Sequence, residues 1–118
     1  MNINKLIQQR KKLLTEYSTG KYRKNNDPVD FLELSLKEQE SLIKFCVTYF
    51  IPRKTRNSHY TSYGFKHVFE NTEGGFYIIN GQFKGAMLIS GFKPVNKFCL
   101  NSIYCISQKS PVFKLNIF

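Results

Sequence analysis

The chain has 118 residues, of which 42% are apolar and 15% aromatic, with 11 Phe and 7 Tyr. That bulk suits one hydrophobic core, which argues against global disorder and against two full domains. A formal net charge of +10 and a pI near 9.7 favour a polyanionic partner, whether nucleic acid, an anionic membrane surface or an acidic protein.

From the N-terminus, Ile3, Leu6, Ile7, Leu13, Leu14 and Tyr17 recur on one helical stripe that Arg10 interrupts. This predicts an amphipathic helix over 3–17 with a basic back, docked on the core. Residues 18–30, STGKYRKNNDPVD, are polar and carry Gly20 and Pro28, so they read as a linker. A boundary near Asn26 then separates a basic N-terminal helix and linker (1–26) from a main domain (27–118). Ser35-Leu36-Lys37-Glu38 has the capping-box pattern, in which the Ser hydroxyl accepts from the N3 amide and the Glu carboxylate accepts from the N-cap amide. Behind it Leu42, Ile43, Phe45, Cys46, Val47, Tyr49 and Phe50 leave only a narrow polar stripe, which predicts a mostly buried helix ended by Pro52.

Residues 53–61, RKTRNSHYT, read as a basic loop. Phe65, Val68 and Phe69 then mark the inner face of a helix, which leaves Tyr63, Lys66, His67 and Glu70 facing outward. Asn71 to Gly75 supplies a turn and Phe76 to Ile79 a short β-prone run. Asn80 is placed to cap a second helix over 81–90, with Gly91 at its C-terminal cap. Beyond Pro94, residues 98–107 have β character and fit one or two strands, with Asn101-Ser102 as the turn of a hairpin. The tail, 111–118, fits either another strand or a cover on the core.

Helix, short strand, helix and β segment is the order of a winged helix. The expected fold is therefore α+β: a small winged-helix-like domain, helix-turn-helix plus β-hairpin, with an added N-terminal amphipathic helix. In such folds the second helix of the pair enters the major groove through its N-terminal residues, here Asn80, Gln82 and Lys84. Arg53, Lys54, Arg56, Lys66, Lys93 and Lys97 would meet phosphates. Tyr60, Tyr63, Phe76 and Tyr77 interleave with bases and offer rings to unpaired nucleotides, against a default of core packing; Tyr60 and Tyr63, close to Arg56, His59 and Lys66, are the ones expected to be exposed. Against this, Ala86 to Ile89 make the second helix apolar on most sides, so a purely structural, buried helix competes with the reader.

The charge is unevenly spread. Residues 27–50 carry five acids against two bases, whereas 51–118 carry nine bases against two acids, and nothing beyond Glu73 is acidic. A solvated surface normally mixes both signs, and an acid-free stretch is what a phosphate-facing surface needs. Catalysis finds little support. His59 and His67 lack partners at metal-ligand spacing, and Asp27, Asp30 and Glu33 lie in the one acidic region rather than beside the bases. No phosphate-loop pattern occurs. Three cysteines without CxxC spacing suggest reduced thiols. No signal-peptide core or membrane-length apolar run is evident, so a cytoplasmic location is expected, with no membrane, metal or cofactor.

The segments SYGFKHVFE and GFYIINGQFKGAMLISGFKP resemble small uncharacterised proteins carried by plasmids, phages and integrated elements of Gram-positive bacteria. The helix from Asn80 to Phe92 with its following β segment is similar to the winged-helix tail of poxvirus-type primase-helicases. The first resemblance implies a mobile-element context. The second implies a winged fold touching nucleic acid through Gln82, Lys84 and the wing, although Ser107-Gln108-Lys109-Ser110 departs from a glycine-rich wing tip.

The functional expectation is a non-catalytic nucleic-acid-binding protein of a mobile element or phage, acting on DNA in preference to RNA as a monomer or homodimer. The alternative is an interaction protein that inhibits a host nucleoprotein defence machine, of the anti-restriction or anti-CRISPR type.

Overall fold

The computed structural model describes residues 2–20 and 24–115, which form a compact α+β domain. Its N-terminal helix is broken at Lys11 into α1 (Ile3–Arg10) and α2 (Lys12–Glu16). Ile7 and Leu14, two turns apart on one face, are buried in the same cluster as Phe83 and Leu88. Arg10, the apparent intruder in the apolar stripe, reaches past that face and donates to the carbonyl of Ile89 at 3.0 Å. It thereby places a cation at the carbonyl end of a later helix.

The end of the predicted linker, 18–30, is ordered instead as the start of a 3₁₀ segment, Pro28–Glu33, capped by Asp27, whose carboxylate accepts from Val29 N at 3.0 Å and from Ser18 Oγ at 2.6 Å. The capping box at Ser35 forms as expected, with Ser35 N donating to Glu38 Oε1 at 2.9 Å and Glu38 N to Ser35 Oγ at 3.2 Å. It starts α3 (Leu36–Tyr49), which buries Leu42, Ile43, Phe45 and Cys46 and stops before Pro52. Phe50, just past its end, packs edge-on against Phe45, Phe65, Phe83 and Phe92 with ring centroids 5.0–6.1 Å away, and so joins the helices around one aromatic centre.

The β structure corrects the sequence reading. Residues Pro52–Asn57, of which 53–57 read as basic loop in the sequence, form β1, and Tyr104–Ile106 form β2. The two pair antiparallel, Pro52 with Ile106 and Asn57 with Tyr104. No hairpin turns at Asn101-Ser102; β2 finds its partner some fifty residues earlier in the chain. Pro94 bridges to Tyr104 from the other side, and Val95 N donates to Ile103 O at 2.8 Å, so residues 95–103 form a loop closed at its base. The tail over Pro111–Lys114 is a 3₁₀ turn covering the core with Val112.

Between β1 and β2 lie α4 (Ser62–Glu70) and α5 (Asn80–Ile89). Gly91, at φ +100, ends α5: Gly91 N donates to Leu88 O at 3.1 Å and Phe92 N to Met87 O at 2.8 Å, a left-handed cap that disfavours any residue with a Cβ. All of α5 except Gln82 is buried. The 25–33 segment lies directly across it, with Gly81 N donating to Asn25 O at 2.9 Å. A Cβ on Gly81 would collide with the backbone of Asp27, and one on Gly85 with Pro28 O and Phe31 Cβ. Glycine serves here for close approach, not for turning.

Gly85→Ala is therefore expected to destabilise the fold by about 1–3 kcal/mol in urea unfolding. This overrides the gain of about 1 kcal/mol that Ala brings to an unencumbered helix. A variant as stable as the parent would mean that the 3₁₀ segment can move aside.

Candidate nucleic-acid interface

In β1 five steps along the chain are matched by two in β2, so Arg53, Lys54, Thr55 and Arg56 bulge out between the two paired ends, all exposed. The bulge is braced from within: Arg53 Nε donates to Thr55 O at 2.9 Å and its terminal nitrogen to Arg56 O at 2.6 Å. Residues 107–110 turn beside it. Ser107 N donates to Ile51 O at 2.7 Å, Ile51 N to Ser110 Oγ at 2.9 Å, and Asn57 Nδ2 to Gln108 Oε1 at 2.9 Å. Exposed Lys109 sits in that turn and so joins Arg53, Lys54 and Arg56. The sequence reading did not include Lys109, because the contact between residues 51 and 107 has no local signature. None of the segments forming this patch contains an acid.

The other candidate residues go elsewhere. Lys93 is exposed beyond α5, next to Pro94, on the opposite side of β2 from β1. Lys97 is half-buried, its Nζ 3.4 Å from Glu16 O and above the rings of Tyr17 and Phe98 at 5.9 and 5.5 Å. Tyr60 is half-buried too, packed on Phe65 and Phe113 with centroids 5.9 and 5.7 Å away.

Three residues expected at the surface are inside. Lys66 does not face outward: it is 5% exposed, bonded to Glu70 Oε2 and to Ile78 O, both at 3.0 Å. Asn80 does not cap α5 through its side chain. It is buried, and its amide donates to Asn26 Oδ1, Leu100 O and Asn101 Oδ1 at 3.0–3.2 Å. Lys84 is buried as well, its amine donating to Asn26 O and Leu100 O at 3.1 Å and Cys99 O at 3.4 Å. Burial pushes that amine down to about 8, against the pull of Asp27, Cys99 and Asp30. Gln82 is half-buried and accepts from Ile79 N at 3.0 Å, reaching back from the first turn of α5 to the amide of the residue that precedes it. The apolar run Ala86 to Ile89 had signalled this burial.

The acidic cluster serves the fold. Asp27 and Asp30 cap the 3₁₀ segment, and burial raises the Asp30 carboxyl above its usual value despite the amide hydrogen bond from Asp27. Cys46 is fully buried, which pushes its thiol far up and keeps it unreactive. Among the described residues, no group of three or more His, Cys, Asp or Glu side chains is placed to hold a metal ion, and no helix is long and apolar enough to cross a membrane. A cleft of about 590 Å³ between α3 and the turn after α4, lined by Lys44, Tyr49, Phe69 and Glu73, takes none of the ten candidate residues into its wall. No known family model, curated protein or solved structure is significantly similar to this chain.

Proposed function

We propose that this protein is a non-catalytic nucleic-acid-binding protein whose phosphate contacts come from the β1 bulge. The observation that carries the reading is the exposed Arg53-Lys54-Thr55-Arg56 protrusion, three cations without an acid, joined by Lys109. Cations raised on a braced bulge approach a phosphate backbone without clash from the surrounding surface, and each one that neutralises a phosphate releases a counterion. The winged-helix arrangement belongs to this reading. It is supported by the order α3, β1, α4, α5, β2, in which the strand before the helix pair joins the strand after it, and by the loop 95–103 closed between Pro94 and Tyr104. The burial of Asn80 and Lys84 takes base-edge readout away from α5 and leaves contacts that do not depend on sequence.

Fluorescence anisotropy with mixed-sequence DNA at low salt tests it. Binding should weaken steeply with salt, and the triple variant R53A/K54A/R56A should lose affinity on the order of 10²-fold, its logarithmic salt slope falling by roughly 2 to 3. A triple variant with the parent's slope, or a parent that binds neither strand form, rejects the proposal.

A further inference from the structure

Two aromatic rings on this surface are held in place while most of their area stays in water. Tyr77 is 75% exposed and Tyr63 51%. They lie fourteen residues apart in the chain, yet Lys66 Nζ is 5.5 Å from the centroid of the Tyr63 ring and 5.2 Å from that of Tyr77. That cation is itself fixed by Glu70 and by Ile78 O, so both rings rest on a buried, immobile charge. His67 adds an edge contact to Tyr63 at 4.6 Å. Rings already ordered before a ligand arrives give up little entropy when they bind it.

This platform is tied to the neighbourhood of the basic bulge. Ser62, just before Tyr63, donates from its amide to Ser102 O at 2.8 Å and accepts from Ser102 N at 2.9 Å. Ser102 lies two residues from Tyr104, which pairs with Asn57 at the end of the bulge.

We infer that the preferred ligand is single-stranded nucleic acid, whose unpaired bases stack on Tyr63 and Tyr77 while its phosphates meet Arg53, Lys54 and Arg56. The inference rests on the phosphate role proposed for the bulge. Bases within a duplex are already stacked and offer no free face to a tyrosine, whereas every unpaired base does, whatever its identity. The helix that would read a duplex groove is covered by the 25–33 segment. The exposed cations Arg53, Lys54 and Arg56, not the Lys66–Glu70 pair beneath the rings, whose charges cancel, select a polyanion over an apolar partner.

The test uses the full chain with a fluorescein-labelled, mixed-sequence DNA strand of about 20 nucleotides, alone and in duplex, a length that exceeds typical single-strand site sizes. The double variant Y63A/Y77A should lose on the order of tenfold or more in affinity for the single strand and less than about twofold for the duplex. Y63F/Y77F, which keeps the rings, should bind like the parent. The chain has no Trp, so tyrosine emission is directly visible. Unlabelled single strand should quench it in the parent and less in Y63A/Y77A. Parent-like single-strand affinity in Y63A/Y77A, or equal losses for both strand forms, overturns the inference and assigns the rings to a different partner. These outcomes leave the bulge proposal standing if R53A/K54A/R56A still weakens binding. A parent that binds neither form removes both.

Discussion

Glu70→Ala is expected to cost about 3–5 kcal/mol of folding free energy and to lower Tm by more than about 10 °C. Glu70 is the counter-ion of Lys66, and the two side chains are only 14% and 6% exposed. Truncating it leaves a buried ammonium whose remaining hydrogen-bond partner among the described residues is Ile78 O at 3.0 Å. The same carboxylate accepts from Ile78 N at 3.0 Å, so a buried amide is orphaned too. Because the large cost is that of an uncompensated charge, the double variant K66M/E70L should recover much of the loss. The effect also carries a pH signature. Burial alone would raise the Glu70 carboxyl, but hydrogen bonds from Ile78 N, Lys66 and His67 outweigh it and hold the group below its usual value of 4.5. A carboxyl depressed in the native state contributes its full stabilisation above 4.5 and loses it as pH falls below that through the native value. Urea midpoints of parent and Glu70→Ala should accordingly converge on acidification. A stability gap unchanged from neutral pH to about pH 3 would contradict this account.

The features legible in the sequence were those whose partners lie within one turn of chain. Ser35 and Glu38 make their capping box, Pro52 follows the end of α3, and Gly91 closes α5, each through contacts within about five residues. What could not be read depends on distant pairing. RKTR has no β pattern of its own, and its strand character comes from residues 104–106. Lys66 shows how the two kinds mix: it and Glu70, both expected to face outward, are an i,i+4 pair, but the inward turn of the pair follows from Ile78 O and the Ile78 amide, which no helical periodicity encodes. Asn80 and Lys84 look like an exposed reading edge until Asn26 and Leu100 are placed beside them. At the candidate interface, Arg53, Lys54 and Arg56 form an acid-free cationic run in the sequence and are exposed in β1. Lys109 required the tertiary contact of residue 107 with Ile51.

Lys84 provides the sharpest contrast between a structural and a ligand-binding cation. Its amine joins the carbonyls of Asn26, Cys99 and Leu100, and so ties the segment before the 3₁₀ helix to the 95–103 loop across α5. Lowered by burial to about 8, it remains protonated at neutral pH, the form that three carbonyl acceptors favour. Lys84→Met keeps the apolar stem and removes every donor. With each unsatisfied carbonyl costing roughly 1–3 kcal/mol, and the more exposed ones recovering water, the expected loss is about 3 kcal/mol. The same substitution at a phosphate contact would do the reverse, leaving stability intact and lowering the salt slope of binding by about one. Measured well below the variant's Tm, binding by Lys84→Met should keep the parent's salt slope while urea unfolding shifts to lower concentration. Parent-like stability with a reduced slope would return Lys84 to the interface, and with it the possibility that α5 uncovers its N-terminal end when nucleic acid binds.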